Sequence, residues 1–225
     1  MRNPFPENEV FNRFLGLKNH FREFQTQESR RRTTEISQLA RLIQDSGDKI
    51  SFDLLGSVNF GMAEATSDVD MVLYLDCGHD EEATYENCPM WRFYESLLIT
   101  SILRELTDRP YHIQVVDCIN LFRLEKAILN RGFDDDIIAR FVFYRTICRG
   151  VNKRVIRPYE KLIMNDKQLF RHIEETLTEA LLVFIRSSSH GKSFEKYLSR
   201  LADSGSKIPL TVVEKVHDYL QLQNK

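Results

Sequence analysis

The sequence contains no apolar run that approaches the roughly 18 uncharged residues needed by a membrane-spanning helix. The first 14 residues also lack the continuous apolar stretch of a secretion signal. From these two absences we expect a cytoplasmic protein with no membrane partner. Internal repeats and low-complexity segments are absent as well, so the composition favours an ordinary globular chain.

The chain also lacks an excess of charge of either sign. Its 31 Lys and Arg residues nearly balance 33 Asp and Glu residues, which gives a formal net charge of −2. Proteins that grip long duplex nucleic acid need a strong positive field. We therefore expect no DNA duplex as a partner, although a local basic cleft for RNA remains an alternative. Arg30, Arg31 and Arg32 are interpreted as solvated charges at a helix start, with contact to RNA phosphates as the alternative.

The four cysteines include no closely spaced CxxC pair. Cys77, His79 and Cys88 could form part of a zinc site. Because a second close pair of ligands is missing from the sequence, ordinary reduced thiols are the favoured interpretation.

Periodicity predicts helix, strand, strand, helix, strand and then a series of helices. This order is typical of an α+β fold, with a small mixed sheet, a flanking N-terminal helix and a C-terminal helical module. We expect a helical segment over 1–48, a core over 49–120 and the helical module over 121–225. Strands are predicted at 50–55, 69–75 and 111–116, and helices at 28–43, 90–106, 121–129, 136–149, 167–186, 194–201 and 211–222.

One pattern of residues carries most of the chemical information. Gly56 and Ser57 follow the first predicted strand, where small residues allow a tight turn that can hold phosphate oxygens. Asp68 and Asp70 lie two apart at the head of the second strand, so their side chains project from the same face. Asp117 follows the third strand. If the strands are neighbours, the three carboxylates converge at one edge of the sheet.

Carboxylates held so close repel each other unless a cation lies between them, and magnesium favours such oxygen ligands. Three carboxylates beside a phosphate-holding turn are typical of two-metal phosphoryl transfer. A nuclease or phosphatase would also use clustered acids, but hydrolysis does not need the preceding Gly-Ser turn. That interpretation therefore ranks below transfer.

The segments LLGSVNFGMAEATSDVDMVLYL and IQVVD together resemble the hG[GS]…Dh[DE]h…D pattern of the DNA-polymerase-beta-like nucleotidyltransferase superfamily. The resemblance covers residues 50–120. It implies that Gly56 and Ser57 bind the triphosphate, with Ser67 in support of the acids. It further implies two Mg²⁺ ions, with Mn²⁺ as a substitute, held by Asp68, Asp70 and Asp117, of which Asp117 is also the candidate general base.

A second resemblance lies in RFVFYRTICRGVN, residues 140–152, which is similar to a helix of poly(A) and terminal uridylyl transferases. In that helix two lysines, four residues apart, reach the triphosphate. The matching positions here are Arg145 and Arg149, and arginine keeps the charge but alters the geometry. The resemblance implies that both residues bind the nucleotide.

The sequence thus predicts an enzyme that transfers a nucleoside monophosphate from a nucleoside triphosphate to an acceptor hydroxyl and releases pyrophosphate. An RNA 3′ end is slightly preferred as the acceptor over a small molecule or a protein side chain. The main alternative is a non-catalytic protein with the same fold, which binds a nucleotide or acts as an antitoxin-like partner.

Overall fold

The computed structural model describes residues 9–23, 25–101, 109–188, 190–203 and 210–223. Within these ranges the chain forms an α+β structure, as predicted. The four strands are β1 (Ile50–Leu54), β2 (Val69–Leu75), β3 (Ile113–Asn120) and β4 (Arg149–Gly150). The helices are α1 (Glu9–Glu23), α2 (Gln27–Asp45), α3 (Gly56–Phe60), α4 (Pro89–Ser101), α5 (Leu121–Leu129), α6 (Asp136–Ile147), α7 (Arg157–Asn165), α8 (Lys167–Ser187), α9 (His190–Asp203) and α10 (Leu210–Gln223).

The strands form one mixed sheet in the order β3-β2-β1-β4. β1 runs antiparallel to both β2 and β4, whereas β2 and β3 are parallel. β2 and β1 are the central strands and are rich in buried apolar residues, as expected for strands covered on both faces. The register between β2 and β3 shifts between Met71 and Val72, where β3 carries one extra residue.

Helices cover both faces of this sheet because its side chains alternate between them. Met71 and Leu73 of β2 belong to a core that includes α2 and α4. Val72 and Tyr74 belong to the opposite core, which includes α1, α5, α6 and the C-terminal helices. The cavity described below opens beside this second core.

Several elements differ from the prediction, including the short helix α3 at the position of the predicted turn. β3 continues to Asn120, so Asp117 lies inside the strand instead of following it. α6 ends at Ile147, and Arg149 begins the two-residue strand β4. Helix α7 was not predicted, although Pro158 stands at its start, where proline is well tolerated. The final part of the predicted helix 90–106, from residue 102 onward, lies outside the described residues.

None of the helices in the described parts of the chain is both long and apolar enough to cross a membrane.

One lysine lies in the core near the cavity. Lys18 of α1 is only 2% exposed, and its Nζ donates to the carbonyl of Ile147 at 2.6 Å. Burial, followed by the positive charge of Arg22, lowers the pKa of Lys18 from 10.5 to about 7. The same carbonyl also accepts a hydrogen bond from Asn59 Nδ2 at 2.8 Å. It therefore keeps one partner if the lysine is replaced.

We expect Lys18→Met to stabilise the protein by about 2–4 kcal/mol at pH 7 and by much less near pH 10.5. The unfolded chain holds the Lys18 proton up to its ordinary pKa, whereas the folded chain loses it above about pH 7. Stability due to this group is therefore lowest below pH 7 and rises as the pH increases toward 10.5. Urea unfolding of Lys18→Met, wild type and the exposed control Lys161→Met across this pH range measures the effect. A gain independent of pH would contradict this account.

Candidate functional site

A cavity of about 490 Å³ lies between the strand ends and the C-terminal helices. Five of the residues predicted for the site line it: Gly56, Ser57, Ser67, Asp68 and Asp70. The remaining lining residues come from α3, the following loop and the helical module: Leu55, Asn59, Phe60, Met62, Thr66, Ile147, Phe184, Ser188 and Phe194. The structure thus brings the predicted turn and the first two acids to one concave surface.

The side chain of Asp70 occupies the space that a side chain at position 56 would need. Gly56 has φ +57°, in the left-handed region that favours glycine, and it begins the short helix α3. A Cβ atom at this position would overlap with Oδ2 of Asp70. The adjacent Leu55 N–H donates to the Asp70 carbonyl at 2.9 Å. Glycine at this position is therefore required by both the backbone angle and the neighbouring carboxylate.

Asp68 and Asp70 form a pair of carboxylates at the head of β2. Asp68 is about half exposed, and its Oδ1 lies 3.9 Å from Nδ1 of His112. Burial raises the pKa of Asp70, the negative charge of Asp68 adds to this increase, and His112 opposes it. A cation between the two carboxylates would relieve this repulsion. Sequence patterns do not single out His112, because its position depends on the pairing of β2 with β3.

The loop before Asp68 is held by a residue that the sequence interpretation placed in solvent. Arg32 is fully buried, and its guanidinium donates to the backbone carbonyls of Glu64, Ala65 and Ser67, the first two at 3.0 Å. Contact of Arg32 with RNA phosphates is therefore wrong, as is a solvated position. The hydroxyl of Ser67 accepts from the Glu64 N–H at 2.9 Å, which shapes the loop from within.

Asp117 projects from the same face of the sheet as Asp70. In the parallel register Asp117 pairs with Val72, and Val72 is two residues from Asp70. However, Asp117 does not line the cavity. Its carboxylate forms an ion pair with Arg140, with Nε and Oδ2 3.1 Å apart, and accepts the Cys118 N–H at 2.8 Å. Tyr144 lies nearby, and burial followed by the negative charge of Asp117 raises the pKa of its hydroxyl group.

The three aspartates are consequently not gathered around one point. Within the described residues, three metal-ligating side chains do bring their ligand atoms within 4.8 Å of one another, but they are not these aspartates. That set lies in the loop after β2 and is considered below. Binding of one metal by all three aspartates would require Asp117 to exchange its contact with Arg140.

The prediction for Arg145 and Arg149 is not supported by their positions. They do not lie one turn apart on a helix, because α6 ends between them. Arg145 is buried, forms an ion pair with Asp53, and donates from Nε to Glu160 at 2.8 Å. Its guanidinium thus compensates buried carboxylates and does not line the cavity. Half-buried Arg149 donates to Gln25 at 3.3 Å.

A different arginine lies directly behind the cavity wall. Arg22 of α1 donates to the carbonyl of Asn59 at 2.8 Å and to its side-chain oxygen at 2.5 Å, and Asn59 lines the cavity. Burial, with the charge of Arg149 next, lowers the pKa of Arg22 to about 10. Two positive groups therefore lie close together on this side of the site. Sequence reasoning missed Arg22 because its helix is far from the motif along the chain.

We expect Gly56→Ala to destabilise the fold by about 2–4 kcal/mol. An alanine there would have an unfavourable left-handed backbone conformation, and its Cβ would overlap with Oδ2 of Asp70. Gly47→Ala is the matched control, because Gly47 has φ +92° but open space around a Cβ. Its cost should be limited to about 1 kcal/mol of backbone strain. In an Asp70→Ala background, Gly56→Ala should approach the cost of the control. Urea unfolding of the four variants measures this coupling, and simple additivity would show that Asp70 does not press on Gly56.

No protein-family model matches the chain, and no curated protein or solved structure is similar enough to match it.

Proposed function

We propose that the protein is a metal-dependent nucleotidyltransferase. It transfers the nucleoside monophosphate of a nucleoside triphosphate to an acceptor hydroxyl and releases pyrophosphate. The observation that carries this proposal is the direct contact of the Asp70 carboxylate with Gly56, inside a cavity that Asp68 and Ser57 also line. Carboxylates beside a turn built for close backbone approach are what a metal–triphosphate complex requires.

The donor set fits Mg²⁺, with Mn²⁺ as a substitute, since Asp68 and Asp70 offer two neighbouring carboxylates with oxygen ligands. When bound, two such ions would neutralise charge on the triphosphate and activate the acceptor hydroxyl. The hydroxyl of Ser57 and the first amides of α3 would hold phosphate oxygens, and Arg32 would keep Asp68 in place by fixing the preceding loop. Positioning and charge compensation then supply most of the rate enhancement.

Asp117 takes the role of a third ligand and general base in this proposal. Its location on the same sheet face as Asp70 supports that role. Because Arg140 contacts both of its oxygens, Asp117 must give up part of this ion pair when substrate binds. Glu82 and Asp136, which also pair with Arg140, can retain the guanidinium when this happens.

The cavity size and its apolar wall suit one nucleotide. A volume of about 490 Å³ is in the range of small-molecule sites, which typically combine apolar lining with a few placed polar groups. Phe60, Phe184 and Phe194 also line the cavity and supply its apolar wall. We retain an RNA 3′ end as the slightly preferred acceptor over a small molecule or a protein side chain.

A second candidate is favoured by one observation, the engagement of Asp117. A carboxylate that is already bound by Arg140 and a backbone amide resembles a structural group more than an open metal ligand. A protein that binds a nucleotide without transferring it, or acts as an antitoxin-like partner, would need only Asp68, Asp70 and the turn.

Incubation of the pure protein with each labelled triphosphate, magnesium and total RNA tests the two candidates. We expect label on RNA, with release of pyrophosphate that stops when EDTA is added. A labelled protein band would identify a side-chain acceptor and keep the transferase assignment. Bound nucleotide without any product, in the presence of RNA, small alcohols and protein, would favour the second candidate.

A further inference from the structure

A cluster of thiols and one imidazole lies at the other end of β2, away from the cavity. Cys77, His79 and Cys88 belong to the segment between β2 and α4, and their ligand atoms all lie within 4.8 Å of one another. The thiols of Cys77 and Cys88 are 3.0 Å apart. Tetrahedral zinc with bonds of about 2.0–2.3 Å separates its ligand atoms by about 3.5–3.8 Å. The side chains are thus already close to the spacing that the metal requires.

A fourth ligand comes from the neighbouring strand. Cys118 of β3 pairs with Leu73 of β2, is 1% exposed, and lies close enough to the thiol of Cys77 for the two to influence each other's pKa. It lies outside the set of three within 4.8 Å, so its thiol must move closer to the other ligand atoms to complete a tetrahedron. Three cysteines and one histidine are a common ligand set of structural zinc sites.

The imidazole of His79 provides an independent indication of a missing partner. Both of its ring nitrogens are buried, and neither has a hydrogen-bond partner among the residues that the structure describes. Burial of unsatisfied polar atoms is costly, and such atoms in a native protein often mark an ion that binds there. The backbone around His79 is well fixed, because Asn120 Nδ2 donates to its carbonyl at 2.7 Å.

We propose that Cys77, His79, Cys88 and Cys118 bind one zinc ion that fixes the segment between β2 and α4. Thiolate and imidazole select zinc over the hard, oxygen-seeking magnesium proposed for the cavity. With four protein ligands the site has no open position, which is typical of a structural role. This inference is independent of the proposed transferase activity. The site could not be predicted from the sequence alone, because the ligands include no CxxC pair and helix α4 separates Cys88 from Cys118.

The metal would also influence Asp117 indirectly. Asp80 and Glu82, in the same segment, form ion pairs with Lys126 and Arg140, and Arg140 in turn holds Asp117. A zinc ion that orders this segment would thus fix Glu82, an acid that can hold Arg140 when Asp117 releases it.

Metal analysis of the full-length protein, purified under reducing conditions with zinc in the medium, tests the proposal. We expect about one zinc per chain in the wild type and in Cys148→Ser. Cys148 is the matched control, since it is a buried cysteine in the opposite core. Cys77→Ser and Cys88→Ser should lose the metal, and Cys118→Ser should bind it more weakly by about 10-fold or more.

Cobalt titration of the metal-stripped wild-type protein keeps the test valid if a variant fails to fold. We expect the intense absorption of tetrahedral cobalt with thiolate ligands, saturating at about one equivalent and displaced by zinc. The absence of zinc and of this spectrum would overturn the proposal. So would zinc that Cys77→Ser retains in full, or a Cys77–Cys88 disulfide in the freshly isolated reduced protein.

Discussion

Asp70→Asn should reduce nucleotide transfer by at least about 1,000-fold, because it removes the carboxylate that would hold the metal against the phosphates. The substitution keeps the size of the side chain. It also leaves in place the backbone hydrogen bond from the Leu55 N–H to the carbonyl of residue 70. Steady-state and single-turnover rates of pyrophosphate release measure the effect. Asp45→Asn, at an exposed carboxylate on the last turn of α2, is the matched control and should retain full activity.

The same variant should not lose stability at neutral pH. Burial and the charge of Asp68 raise the pKa of Asp70, so the folded protein binds its proton more tightly than the unfolded chain. Stability due to this group therefore falls as the pH rises through the ordinary and then the raised pKa. Asn removes this loss, and the melting temperature without metal should be equal to or above that of the wild type. A well-folded Asp70→Asn protein with undiminished transfer would contradict the role assigned to Asp70.

Asp53→Asn should destabilise the protein by about 3–5 kcal/mol, since it breaks a buried ion pair and leaves Arg145 undercompensated. Asp53 is fully buried, contacts the Arg145 guanidinium through both oxygens, and accepts the Tyr74 hydroxyl at 2.8 Å. Glu160 also pairs with Arg145, which limits the loss. Equilibrium urea unfolding at pH 7 measures the difference.

Glu9→Gln is the matched control for this pair, because Glu9 forms an ion pair with Arg13 on the surface of α1. We expect an effect below about 1 kcal/mol there. Replacement of both partners, as Asp53→Val with Arg145→Met, should cost less than the sum of the two single changes, since fewer buried charges remain unpaired. A loss below about 1 kcal/mol for Asp53→Asn would show that Arg145 does not depend on it.

The parts of the fold that local patterns determine were predicted well. Alternation and apolar runs located β1 and β2 within one residue, and helical periodicity located α5 at 121–129. The glycine at the turn was also anticipated, although the structure adds that Asp70 occupies the space of its missing side chain.

The parts that depend on long-range pairing were not predicted. Arg145 and Arg32 have the sequence surroundings of surface charges, and only the packed fold shows that each lies among buried acceptors. The surroundings of Asp117 were missed because Arg140 reaches it across the sheet face from α6. Convergence of Cys118 with Cys77 depends likewise on the parallel pairing of β2 and β3.

The most direct test of the account is a crystal structure of the protein with Mn²⁺ and a non-hydrolysable nucleoside triphosphate. We expect an anomalous manganese peak between the carboxylates of Asp68 and Asp70, with the phosphates against Gly56 and Ser57 and with Asp117 turned away from Arg140. Nucleotide bound elsewhere, with no metal at Asp68 and Asp70, would contradict the proposed active site.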